Sequence, residues 1–283
     1  MKLLRYGPAG QEKPGILAPD GSIRDLSGMV DDLSGEVLGA NGLRKLASID
    51  LDSLPKVAGN PRLGSPVAGM KNLVCIGLNY ADHAAETGNP IPKEPIVFLK
   101  SLGALSGPND NVIIPKHSQK CDWECELAII IGTKATCVSE EAALDHVAGY
   151  AVGNDVSERE WQIERGGSWD KGKGADTFGP LGPWLVTKDE VPDPQKLAMF
   201  CDVDGQRMQT GSTATMIFGV KKLVSYVSHF ITLHPGDVIF TGTPPGVGIG
   251  KKPTPIFLKA GQTMKLGIAG LGEQTQNTVA FSG

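Results

Sequence analysis

The segment Asp122-Trp123-Glu124-Cys125-Glu126-Leu127-Ala128-Ile129-Ile130-Ile131-Gly132 constrains what this chain can fold into more than any other. It is apolar over its second half, β-branched at its end and closed by glycine, which predicts a largely buried strand. Side chains alternate along a strand, so Glu124 and Glu126 project to the same face. Two neighbouring carboxylates on a buried element repel each other and are costly to desolvate. A bound cation resolves that conflict. The opposing reading is an edge strand whose acids face solvent.

The chain around this strand is long enough, at 283 residues, to bury a large core. With 40% hydrophobic and 20% charged residues it has an ordinary globular composition. A net charge of −4 favours neither nucleic acid nor an anionic membrane surface as partner. The 37 glycines and 20 prolines call for many turns and suit a β-rich or α+β fold better than a helical bundle. Five cysteines, without a second Cys or His pair at zinc spacing, read as reduced, mostly buried thiols of a cytoplasmic protein. No apolar run approaches the roughly 18 residues of a membrane span.

Residues 1–66 read as a small N-terminal α+β domain of short strands and weakly helical stretches, ending in the linker Pro61-Arg62-Leu63-Gly64-Ser65-Pro66. Residues 67–283 form the main domain. Strands are predicted over 72–77, 96–100, 111–114, 124–131, 149–152 and 237–241, and a short helix over 80–87 closed by Gly88. A helix is predicted from Ser139 through Val147, and the clearest one over 218–233, with Phe230 and Ile231 on its buried stripe. Residues 157–176 are polar and glycine-rich and read as a partly helical lid. Strands and helices do not alternate regularly, which disfavours a doubly wound parallel sheet.

Several constellations could carry chemistry. Asp155, at the end of the apolar segment before it, can complete an all-oxygen triad with Glu124 and Glu126, or can simply cap a turn. Carboxylate oxygens select Mg²⁺, Mn²⁺ or Ca²⁺ over zinc. On the predicted helix His83 and Glu86 lie at i and i+3, so the carboxylate can orient the imidazole as a general base; an exposed surface pair fits the same spacing. Lys173 stands between glycines, either as a solvated loop residue or as a cation that closes over a site. The stretch Thr241-Gly242-Thr243-Pro244-Pro245-Gly246-Val247-Gly248 leaves a strand as a rigid loop whose hydroxyls and amides could hold a carboxylate. Gly-x-Ser-x-Gly is absent, which argues against a nucleophile-elbow serine hydrolase.

The order of these pieces is more specific than any one of them. Gly-Leu-Asn-Tyr-x-Asp-His-x-x-Glu, Glu-x-Glu in a strand, Asn-Asp, a lysine loop before Asp-Thr-Phe-Gly-Pro, and Thr-Gly-Thr-Pro-x-Gly-Val-Gly follow one another over residues 70–280. This arrangement resembles the fumarylacetoacetate hydrolase family. The resemblance implies an α+β fold built on a mixed β-sandwich roll, usually homodimeric. It implies Mg²⁺ or Mn²⁺ on Glu124, Glu126 and Asp155, with His83 and Glu86 as a water-activating dyad and Lys173 as an electrostatic helper. Thr243 is expected near the substrate carboxylate, and Arg159 and Gln162 match substrate-contacting positions of relatives.

The chemistry so implied is hydrolysis of the C3–C4 bond of a 2,4-diketo acid, preferably a 2,4-diketo-3-deoxy sugar acid such as the rhamnonate or fuconate derivative. Oxaloacetate decarboxylation and ureidoglycolate cleavage are open to the same site. A non-enzymatic alternative is a structural Ca²⁺ site in a binding protein, which would fill its coordination shell with protein oxygens.

Overall fold

The computed structural model describes residues 1–88 and 90–282, without the side chain of Thr87. Three short strands open the chain: β1 (Lys2–Tyr6), β2 (Lys13–Leu17) and β3 (Ile23–Asp25). Helix α1 (Ala40–Ala47) precedes β4 (Leu73–Gly77), α2 (Ala81–Thr87) and β5 (Ile96–Lys100). Then come β6 (Leu105–Ser106), β7 (Val112–Ile114), β8 (Cys121–Asp122), β9 (Cys125–Ile131), β10 (Val147–Asn154) and β11 (Ser157–Glu158). A π-helical turn at Glu160–Glu164 and helix α3 (Trp169–Lys173) lead to β12 (Gly179–Thr187). The chain closes with β13 (Ala198–Val203), β14 (Gln206–Ser212), α4 (Val220–Ser228), β15 (Val238–Phe240), β16 (Thr263–Ile268) and β17 (Gly272–Ala280).

Two sheets dominate this α+β fold. The larger has the order β3-β2-β1-β12-β10-β9-β15-β4-β5, with β6 added alongside β12; the smaller has the order β14-β13-β16-β17-β7. β9 lies in the middle of the larger sheet, and every one of its residues is buried. Leu127, Ile129 and Ile131 point into the core shared with Cys201, Met264 and Leu266 of the smaller sheet. Ala128 and Ile130 face the other way, onto Leu3, Ile16, Leu33 and Leu38. A strand covered on both faces reads as a continuous apolar run, and each such side chain contributes about 1.5–3 kcal/mol by burial.

The N-terminal strands join this architecture directly. β1 pairs antiparallel with β12, Leu3 opposite Leu185, and the N-terminal leucines share one core with β4, β9 and β15. Residues 61–66 run beside the C-terminal end of β1, where Tyr6 and Leu63 form an isolated bridge.

Three local expectations change. The helix expected from Ser139 is a single 3₁₀ turn at Ala143–His146, because Val147 is already opposite Ile131 in the sheet. α4 ends at Ser228 rather than near Leu233, since Leu233 is drawn into a bridge with Ala135; Phe230 is left 69% exposed instead of buried. Of the smaller sheet only β7 is predicted from the sequence; β13, β14, β16 and β17 are not. Its strands alternate polar and apolar residues weakly, as in Gly272–Ala280, where Gln274, Gln276 and Thr278 are the buried positions. Among the described residues no helix is long and apolar enough to cross a membrane.

Candidate active site and metal centre

The register of β9 on β10 assembles the acidic centre. Glu126 pairs with Gly153 and Cys125 with Asn154, and the Asp155 amide then donates to the Glu124 carbonyl at 2.9 Å. Asp155 therefore lies across from Glu124, one residue beyond the strand end. One carboxylate oxygen from each of Glu124, Glu126 and Asp155 lies within 4.8 Å of the others, and all three residues are buried. Three buried carboxylates at this separation, all offering oxygen, fit a hard divalent cation such as Mg²⁺ or Mn²⁺.

The chain supplies some countercharge. Nζ of Lys173 is 2.5 Å from Oε2 of Glu124 and 2.7 Å from Oδ2 of Asp155. Lys100, at the end of β5 and buried, pairs with Asp155 and donates to the Val156 carbonyl at 3.0 Å. Arg159 donates to Oδ2 of Asp122 at 2.8 Å, to Oε1 of Glu124 at 2.7 Å and to Oε1 of Gln162 at 3.1 Å. Burial alone would raise the Glu124 pKa, but Lys173 and Arg159 outweigh it and hold the group at about 2. Among the described residues Glu126 has no cationic partner in hydrogen-bond reach. Its carboxylate accepts from the Gly242 amide at 2.7 Å, and burial with the nearby Asp155 and Glu124 charges pushes its pKa well up. Gly242 is needed at this point: its φ is +92°, and a Cβ there would stand 2.8 Å from that of Asn79.

Across the cavity stands α2, which begins after Tyr80 and ends at Gly88 in the left-handed conformation. Nδ1 of His83 lies 3.2 Å from Oε2 of Glu86. Burial raises the Glu86 pKa, but the hydrogen bonds from His83 and from the Gly246 amide, at 3.0 and 3.1 Å, bring it below its ordinary value. Glu86 is thus a carboxylate that accepts from Nδ1, leaving Nε2 of His83 as the basic nitrogen.

Of the nine residues singled out from the sequence, eight line one cavity of about 380 Å³: His83, Glu86, Glu124, Glu126, Arg159, Gln162, Lys173 and Thr243. Asp155 lies just behind it, on Lys173 and Lys100. The segment 157–176, expected as a lid, contributes Arg159, Gln162 and Lys173 as buried side chains. The Thr243 hydroxyl is engaged within the protein, donating to the Cys125 carbonyl at 2.9 Å and accepting from Gln209 at 2.8 Å. Two buried residues of the centre were missed. Asp122 continues the alternation of Glu124 and Glu126, a signal present in the sequence; it accepts from the Gly248 and Ile249 amides at 2.6 and 3.0 Å. Lys100 gave no such signal, because its partner is 55 residues away.

The family model described as fumarylacetoacetate (FAA) hydrolase C-terminal matches residues 72–280. A Burkholderia cenocepacia (strain HI2424) protein named "Putative hydrolase" is 64% identical over 278 residues, covering 98% of this chain and 99% of its own. The solved fumarylacetoacetate hydrolase of Exiguobacterium antarcticum is 36% identical with a TM-score of 0.87, covering 99% of this chain and 100% of that one. The maleylpyruvate hydrolase of Sphingobium sp. SYK-6, solved with manganese(II) and pyruvate, is 29% identical with a TM-score of 0.81 over 99% of each chain.

Proposed function

This chain belongs to the fumarylacetoacetate hydrolase family, and from that premise we propose that it is a divalent-metal-dependent hydrolase of 2,4-diketo acids. It cleaves the bond between C3 and C4, releasing pyruvate and the carboxylic acid formed from the acyl half. The observation that carries the reading is the buried Glu124/Glu126/Asp155 cluster facing the His83–Glu86 pair across one cavity. The manganese and pyruvate held by the Sphingobium enzyme support the same ligand chemistry.

Glu124, Glu126 and Asp155 would hold Mg²⁺ or Mn²⁺, which supplies a Lewis acid for the 1-carboxylate and 2-keto oxygens and for negative charge developing on them. His83, fixed by Glu86, takes a proton from water as the oxygen adds to the C4 carbonyl. The C3–C4 bond then breaks, its electron pair passing into the pyruvate enolate while C4 leaves as the carboxylic acid. Protonation of C3 completes pyruvate. Lys173 places an ammonium beside the developing enolate charge. Diketo-deoxy sugar acids such as the rhamnonate or fuconate derivative are one group within this class.

The test is hydrolysis of 2,4-dioxopentanoate, the smallest methyl-ended member, followed with Mg²⁺ or Mn²⁺ and then with excess EDTA. Pyruvate and acetate should appear in equal amounts and stop on chelation. Failure to release pyruvate from any 2,4-diketo acid, or release that survives exhaustive chelation, overturns the reading.

A further inference from the structure

Three acids of the centre take amide hydrogens from one loop. After β15 ends at Phe240, Gly242 donates to Glu126 at 2.7 Å and Gly246 to Glu86 at 3.0 and 3.1 Å. Gly248 and Ile249 donate to Asp122 at 2.6 and 3.0 Å. Glu126 is a proposed metal ligand and Glu86 orients His83, so the loop 242–249 sets where both stand. Its support is β14. Gly246, at φ +105°, packs against that strand: a Cβ there would stand 2.1 Å from the Met208 carbonyl oxygen and 3.0 Å from the Gln209 Cα.

Among the described residues of β14 only Gln209 is buried. Its Oε1 accepts from the Cys125 amide at 3.0 Å, and its Nε2 donates to the Thr243 hydroxyl and to the Pro244 carbonyl, each at 2.8 Å. The partners dictate which end is which, because an amide N–H only donates and a carbonyl only accepts. Cys125 lies between Glu124 and Glu126. Along a strand the backbone groups of successive residues point to opposite sides. The Glu124 carbonyl faces β10, where it accepts from Asp155, so Cys125 turns its N–H and C=O to the β15 side. β15 stops opposite Ala128, short of Cys125. Gln209 and Thr243 supply the missing pairing, Thr243 by donating to the Cys125 carbonyl at 2.9 Å.

We infer that Gln209 is a positioning residue of this site. Its carboxamide locks the strand that carries Glu124 and Glu126 to the loop that orders Glu126 and Glu86, and so fixes the metal ligands against the His83–Glu86 pair. Gln209 stands behind Thr243, which lines the cavity, and acts through Thr243 and Cys125. The inference rests on the proposed metal-dependent hydrolysis. A general base works only within hydrogen-bond reach of the water it activates, so a small shift between strand and loop is felt as rate.

The experiment uses Gln209→Met, which keeps the length of the side chain and removes its three hydrogen bonds, with Thr243→Val and the double variant. Mn²⁺ affinity is measured by titration, following the free ion by EPR, and kcat and KM for 2,4-dioxopentanoate are measured at saturating Mn²⁺, all well below each Tm. Gln209→Met should bind Mn²⁺ about ten-fold more weakly and lose about 10- to 100-fold in kcat, with a smaller change in KM. The double variant should lose little more Mn²⁺ affinity than either single one, since each breaks the same pairing. Wild-type Mn²⁺ affinity or wild-type kcat in folded Gln209→Met, whatever its Tm, overturns the inference and leaves the hydrolysis intact, as do fully additive losses in the double variant. If Gln209→Met does not fold, the Mn²⁺ affinity of Thr243→Val decides in the same way. A wild type that binds Mn²⁺ without releasing pyruvate overturns the hydrolysis alone, and the Mn²⁺ affinities then decide the inference. A wild type that binds no Mn²⁺ overturns both.

Discussion

Four buried carboxylates, Asp122, Glu124, Glu126 and Asp155, meet three buried cations, Lys100, Lys173 and Arg159. Glu126 is the acid with no cation of its own. Its folded pKa is raised by burial and by Asp155 and Glu124, so in the metal-free protein it disfavours folding increasingly as pH rises above the unfolded carboxylate value. Glu126→Gln removes that penalty together with one of the three proposed metal ligands. The metal-free variant should melt at or above the wild-type temperature near pH 7. Its affinity for Mn²⁺ should fall by more than the roughly 10–100-fold that losing an outer partner costs. Thermal melts with and without Mn²⁺ read both effects, and a metal-induced rise in Tm as large as in the wild type would refute the assignment.

At the scale of elements, the site depends on how α3 docks. The Trp169 ring packs edge-on to Phe98 with centroids 5.3 Å apart, and the Lys173 ammonium lies 5.4 Å from the Phe98 ring centroid. This packing needs Gly77 at the end of β4, because a Cβ there would stand 2.2 Å from Cζ3 of Trp169. Gly77→Ala should therefore overpack the junction, cost about 1–3 kcal/mol and loosen the segment that carries Lys173. Limited proteolysis should show faster cleavage within 157–176 than in the wild type. Protection equal to the wild type's would show that Trp169 does not anchor this segment. β5 and α2 were legible because their period and end residues are local. α4 was overextended because the bridge that ends it, Ala135 to Leu233, spans 98 residues.

Across the whole molecule, Arg62 ties distant parts together. It donates to Glu12 at 2.8 Å and to Asp110 at 2.5 and 2.7 Å, joining residues near β2, the segment before β4 and the loop before β7. Burial pushes the Glu12 pKa up, but Arg62, together with a backbone hydrogen bond and Arg5, outweighs this and holds it below its ordinary value. A depressed carboxylate stabilises the fold above its unfolded pKa, and that contribution disappears as pH falls through the folded value. Arg62→Met should cost about 1–2 kcal/mol at pH 7 and much less near pH 3. Denaturant titrations of both proteins at the two pH values measure this, and a loss of equal size at each would exclude the ion pair as its source.

The sequence by itself determined β9, the one-face placement of Glu124 and Glu126, and the His83–Glu86 helix. Each of these follows from a repeat of two residues or from i,i+3 spacing, so the information is local. It also carried the ordered motifs that point to the family. Only the tertiary structure decided that β10 sets Asp155 opposite Glu124, that Lys100 and Arg159 are committed to the acids, and that Gln209 joins Cys125 to Thr243. Those relations are set by strand register and sheet order over tens of residues, where pairing geometry and shared burial override any pattern a single segment can display.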